Sequence, residues 1–319
     1  MDRPRVRHQL RLQLIATLLV LLPFMALRAL AAEGDELAAR WLANGKPGAL
    51  VQQALQILQQ AGDDGLNPAD YLSAPLTAVL HSPAQNRPLP ESDQATLALA
   101  LDDAMRRYLH DLRFGRVAPD KVYANVKAAP TLDIPATLNA AVAARNLDFA
   151  VKAATPRFPL YQVLKPWLAR YRSLASHTAW NTPLPPIPGK KLTPGQRYAG
   201  IAILTERLMA LGDLPSGTGA PDRYDGPLVD GVRQFQSRHG LTPDGVIGKT
   251  TLDQLAVSPS ARAEQIALTM ERLRWTPLLN EKRMLLVNLP EFVMRGLEID
   301  GNRVTVSLQM NVIVGKALN

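Results

Sequence analysis

The sequence predicts a mainly α protein: a helical scaffold domain, then a small three-helix module, then a short C-terminal β segment. Three observations carry this expectation. Apolar residues recur at helical spacing almost throughout residues 33–188, tight turn signals punctuate the stretch Val232–Leu255, and the apolar period changes after about residue 280. The 319 residues are 47% hydrophobic and 20% charged, enough to bury more than one core. Cysteine is absent, which excludes a disulfide framework, a Cys-ligated metal and a thiolate nucleophile from these residues.

Residues 1–31 read as a signal peptide. Arg3, Arg5, Arg7 and Arg11 form a basic start, Leu12–Leu27 is an apolar run, and Ala29-Leu30-Ala31 offers a small-x-small cleavage site. The apolar run falls short of the roughly 20 residues that a spanning helix needs, and Pro23 and Arg28 interrupt it, so no stable membrane span is expected after cleavage. This leader holds five Arg and one Asp, which leaves 31 basic against 27 acidic residues in the remainder, net +4. Such a balance, with no basic stripe and interleaved aromatics, argues against nucleic acid and is compatible with a polyanionic extracellular polymer.

In 48–61, Leu50, Val51, Ala54, Leu55, Ile57, Leu58 and Ala61 share one face, and Gly62 breaks the helix. Asn67-Pro68 reads as an N-cap with proline at the first helical position. A longer helix is expected over about 92–114, with Leu97, Leu101, Met105, Tyr108 and Leu112 on its seam and Gly115 closing it in the left-handed conformation. Its charges, Asp102, Asp103, Arg106, Arg107, His110, Asp111 and Arg113, are read as a solvated face with i,i+4 pairs. A further helix over about 160–174 carries Tyr161, Leu164, Leu168 and Tyr171 as core. Histidines at 8, 81, 110, 177 and 239 show no metal-site spacing, so neither a zinc site nor any other cofactor is expected.

The stretch WNTPLPPIPGKKLTPG (180–195) is expected to be a stiff, extended connector, so the scaffold domain is placed at 33–188 and the end of the linker at 189–195. The module follows at 196–258. Ile201, Leu204, Leu208 and Leu211 make its first helix, with Gly212 as the stop; Leu228, Val229, Val232 and Phe235 make the second, which Gly240 ends. Thr242-Pro243-Asp244-Gly245 reads as a turn with positive φ at Gly245. Val246 and Ile247 plug the core, Gly248 allows close approach, and Thr250 or Thr251 caps the last helix. Residues 259–279 form a connecting helix with Ile266, Met270 and Leu273 inward. Residues 280–319 read as strands, with Ile299-Asp300-Gly301-Asn302 as a hairpin turn.

The order LMALGDLP then VRQFQSRHGLTPDGVIGKTTLDQL resembles peptidoglycan-binding domains of the three-helix type, with Phe235-Gln236, Gly240-Leu241, Asp244-Gly245, Gly248 and Thr251 at the family's spacing. GLNPADYL, YLHDLRFGRVAP and FPLYQVLKPWLARYRSLA resemble the helical scaffold of large periplasmic murein L,D-transpeptidases, and MLLVNLP, the DG hairpin and NVIVGK resemble the first strands of their catalytic domain. The resemblance implies an exported, periplasmic protein with peptidoglycan as partner. It also implies Arg233, Gln236, Arg238, His239 and Asp244 as candidate contacts, although Asp244 also suits the turn, Gln236 also suits packing and Arg238 also reads as a solvated base. In that family a cysteine thiolate attacks a stem peptide and a His acts as base. Both would fall past Asn319, so the chain is read as a truncated member, inactive as it stands, with no catalytic residue assigned. A stand-alone wall-binding adaptor is the alternative, and a murein hydrolase a weaker one.

Overall fold

Helix α4 (Glu91–Phe114) organises the first half of the molecule. Its buried residues, Leu97, Leu101, Met105, Tyr108, Leu109 and Leu112 among them, follow the 3.6-residue period of its apolar seam. In the computed structural model, which describes residues 34–81, 87–121, 131–275, 282–288, 292–300, 303–313 and 315, that seam meets α2 (Ala49–Gln59), α3 (Ala74–Leu80), α5 (Ile134–Ala143) and α6 (Leu147–Ala154). Helical residues 34–41 form α1, from which Trp41 enters the core. The chain is mainly α, as the sequence predicts. The expected signal peptide at 1–31 lies outside the described residues.

Several local expectations are refined. Asn67 does cap, accepting from the amide of Ala69 at 3.2 Å, but the helix it opens is a single 3-10 turn, Pro68–Asp70. Gly115 has positive φ (84°) with extended ψ (167°), outside the left-handed helical region expected. The charged face of α4 keeps its i,i+4 pairs, Asp102 with Arg106 and Asp103 with Arg107. It also reaches across to the 3-10 turn. Tyr71 donates to Asp111 Oδ2 at 2.8 Å, Arg107 donates to the Asp70 carbonyl at 2.7 Å, and the Tyr71 and Tyr108 rings meet edge-to-face at 5.6 Å. Burial, then the bond to Asp111, pushes the Tyr71 phenol up, so it stays a donor. The two scaffold motifs therefore meet as a structural clasp.

The chain divides into two units, 1–156 and 157–319. The second contains α7 (Pro159–Ser173), α8 (Ile201–Leu211), α9 (Pro227–Arg238), α10 (Lys249–Ala256) and α11 (Pro259–Arg274). Helix α7 packs along α11, where Arg274, only 1% exposed, donates to Glu271 Oε2 at 2.7 Å and to the Tyr161 hydroxyl at 2.8 Å. Met270 is buried at this seam as expected, while Ile266 and Leu273 are half-buried. The unit boundary thus falls ahead of α7. The Pro-rich segment 180–195, extended as expected, lies inside the second unit and is tethered there.

Strands β1 (Arg283–Asn288), β2 (Val293–Asp300) and β3 (Arg303–Asn311) form an antiparallel sheet in the order β1-β2-β3. The pairing runs from Arg283↔Glu298 to Asn288↔Val293 and, with a shift at Gly296/Leu297, from Val293↔Asn311 to Asp300↔Arg303. Residues 301–302 of the expected hairpin turn lie outside the described residues.

Candidate functional site

The module between 196 and 258 is built around one amide. Gln236 projects from α9 into the following loop and is 1% exposed. Its Nε2 donates to Asp244 Oδ1 (3.0 Å), the Val246 carbonyl (2.9 Å) and Thr251 Oγ1 (3.3 Å), while its Oε1 accepts from the Gly245 amide (2.9 Å). A side chain with both donor and acceptor ends was needed, because the loop presents both. Asp244 Oδ1 also accepts from the Val246 amide at 2.8 Å, the self-bonded turn expected of Asp. Gly245, with φ of +73°, has no room for a Cβ, which would sit 2.8 Å from Val229 Cγ1. The buried Tyr224 hydroxyl donates to the Gly245 carbonyl at 2.6 Å, and burial pushes that phenol up, so it remains a donor. Leu192 and Ile247 exchange two backbone bonds of 3.0 Å, which closes the core from the other side.

Three expectations change here. Thr251 does not cap α10: Gly248 holds the N-cap position without a side-chain bond, and Thr251 lies inside the helix, buried against Gln236. Gly248 permits no close approach, since a Cβ there would meet nothing within 4 Å. Ile247 is buried but Val246 is only half-buried.

The candidate contacts fall into separate classes. Gln236 is corrected to a loop anchor, because it neither reaches the surface nor has a spare donor. Asp244 is exposed, but one of its oxygens serves the turn. Arg238 is no solvated base. Its side chain is 25% exposed and forks onto Asp213, with Nε to Oδ1 at 3.0 Å and Nη2 to Oδ2, while Nη1 donates to the Tyr171 hydroxyl at 3.0 Å. Burial would lower the Arg238 pKa, but the bonds to Asp213 outweigh it and hold it above the ordinary value. His239 stacks on Phe235 with ring centroids 3.9 Å apart, and its Nδ1 lies 2.8 Å from the Phe235 carbonyl. A carbonyl only accepts, so Nδ1 carries the proton and Nε2 is the acceptor. Burial, reinforced by Arg238 and Arg262, lowers this imidazole to about 4. Arg233 is exposed and donates to Asp230 Oδ1 at 2.8 Å.

Sequence reasoning missed Arg207. It is 2% exposed, and its guanidinium donates to the carbonyls of Ala179 (2.9 Å), Leu255 (2.9 Å) and Thr182 (2.8 Å), over the Trp180 ring at 5.5 Å. An arginine in the middle of an apolar helix face was the only signal available. In the first unit, an open cleft of about 670 Å³ is bounded by Asp35, Glu91, Gln94 and Arg145. Among the described residues, no three metal-binding side chains gather and no helix is long and apolar enough to cross a membrane.

Residues 197–255 match the family model of a putative peptidoglycan binding domain. Residues 34–168 match that of a scaffold domain. No curated protein matches the chain. The first likeness covers the Gln236-centred loop and all three helices of the module, and it supports peptidoglycan as the partner and cell-wall binding as the role of this segment.

Replacing Gln236 by Leu strands the Gly245 amide and the Val246 carbonyl, and is expected to destabilise the module by about 2–3 kcal/mol. Urea unfolding followed by Trp fluorescence measures this; a loss under 1 kcal/mol would contradict the anchor role. His239 generates a pH dependence. Its folded value of about 4 lies below the ordinary 6.5, so between these pH values the unfolded chain binds a proton that the folded chain refuses. Stability therefore falls as pH drops through this window, and this contribution is constant above it. The His239→Phe variant should show a shallower decline than the parent between pH 7 and pH 4.

Proposed function

We propose that the protein is exported to the periplasm and held on peptidoglycan by residues 197–255, in the arrangement of the periplasmic L,D-transpeptidases that its sequence resembles. The observation that carries the reading is the joint agreement of the module match with the loop lock around Gln236, since the motif residues occupy the positions that make this loop fold. The scaffold match over 34–168 and the antiparallel strands at 283–311 support the wider family reading. Crosslinking of stem peptides in that family requires a thiolate, and these 319 residues hold no cysteine.

Two measurements test the proposal. The chain lacking residues 1–31 should co-sediment with purified sacculi at low salt, and Arg233→Ala should weaken retention by no more than a few fold, as befits one exposed ion-pair partner. A chain that remains in the supernatant would reduce the module to a spacer. Export should leave Ala32 as the first residue. Edman sequencing of periplasmic material decides this, and intact residues 1–31 in the membrane fraction would refute cleavage.

A further inference from the structure

The second unit gathers positive charge at one place that extends beyond both matched segments. Arg170 in the last turn of α7, Arg238 at the end of α9 and Arg262 in the first turns of α11 converge around Trp167 and Tyr171. The guanidinium carbons of Arg170 and Arg238 lie 5.9 and 5.8 Å from the Trp167 ring centroid. Arg238 donates to the Tyr171 hydroxyl, and Arg262 is close enough to feel both Tyr171 and Arg238. Among the described residues one carboxylate, Asp213, bonds within the group, and it is taken by Arg238. Arg170 donates to the Leu211 carbonyl at 2.8 Å, closing the C-terminus of α8, and Arg262 donates to Gln265 at 3.0 Å and to Gln254. Among the described residues neither Arg170 nor Arg262 has a carboxylate partner.

We propose that Arg170, Arg238 and Arg262, with His239 beside them, form a binding site for a carboxylate of the peptidoglycan stem peptide. The proposal rests on the reading of 197–255 as a wall-binding module and adds to it residues 170, 171 and 262, which lie outside both matched segments. Its chemistry follows from the groups present. Planar guanidinium forks suit carboxylates, and two of them, Arg170 and Arg238, lie against the Trp167 indole while still reaching solvent. Burial, and after it the neighbouring Arg238, works against the charge of Arg262, and an incoming anion offsets both. With Nδ1 bonded to Phe235, neutral His239 keeps Nε2 as an acceptor for a peptide N–H next to that carboxylate. A glycan strand, uncharged along most of its length, would gain nothing from this arrangement.

The test uses the 319-residue chain labelled at histidine and followed by NMR. It is titrated with a soluble disaccharide-tetrapeptide prepared from sacculi, with the same compound after its carboxylates are amidated, and with inorganic phosphate. Seating the carboxylate should raise the His239 pKa by roughly one unit, and amidation should weaken binding about tenfold. Phosphate at the same concentration should leave His239 unmoved. Arg262→Gln should weaken binding about tenfold and Arg262→Lys should recover part of it. An unmoved His239 in the saturated protein, or equal binding of the amidated compound, overturns the site while leaving sacculus retention intact. An equal response to phosphate overturns the stem-peptide assignment. No binding to the muropeptide together with no retention on sacculi overturns the wall-binding reading itself.

Discussion

The second unit depends on a buried cation, Arg207, that bonds to backbone carbonyls and, among the described residues, to no carboxylate. Arg207 is enclosed by apolar helix and coil, and a charge in such a place is tolerated only if every side of it is hydrogen-bonded. Three backbone carbonyls meet its fork, from Ala179, Thr182 and Leu255. Burial lowers its pKa, but from a value so high that it stays charged. Lysine would fail here, since a single ammonium cannot reach three carbonyls that the guanidinium meets through three separate nitrogens. The same contacts bind the segment before the module to the module's last helix, so the start and end of the fold are joined through one side chain.

That constraint explains where composition misleads. Seen by residue type alone, 180–195 is a linker, and its prolines do keep it out of helix. Yet Arg207 holds its start and the Tyr198 hydroxyl donates to the Pro185 carbonyl at 2.6 Å, so the segment behaves as an extended strap on a packed body. Upstream of it, α7 follows the strap into the second unit because Arg274 and Glu271 meet Tyr161 in a buried network. The scaffold match ends at residue 168, within α7, so the limit of sequence similarity and the limit of packing do not coincide.

Much of the module was legible in the sequence because its determinants are local. Phe235 fills the core, Gly240 and Gly245 take positive φ, and Asp244 bonds its own turn, all within ten residues and all by rules of residue type. Helix positions were legible for the same reason. The candidate site was less so. Arg238 meets Asp213 across 25 residues, Arg207 meets Ala179 across 28, and Arg274 meets Tyr161 across 113, and no periodicity encodes such partners. Gln236 shows a subtler failure: a polar residue at a motif position reads as a ligand contact, whereas its polarity answers the loop's own backbone.

Once the fold has claimed Gln236, half of Asp244 and the Phe235 face of His239, the chemistry left for a partner is cationic and planar. The net charge of residues 32–319 is small, so this is a local concentration and not a diffuse field. A single carboxylate held at a half-exposed arginine cluster gives weak binding in isolation. A wall polymer, however, repeats its stem peptides, and a dissociated module remains within reach of the next one, so retention is set by local concentration as much as by the affinity of one contact. A modest site on a rigid, well-locked module is therefore sufficient for wall association, and the rigidity matters because ordering the arginines on binding would otherwise consume the gain. The aromatic wall of Trp167 and Tyr171 supplies that order in advance, restricting Arg170 and Arg238 before any ligand arrives.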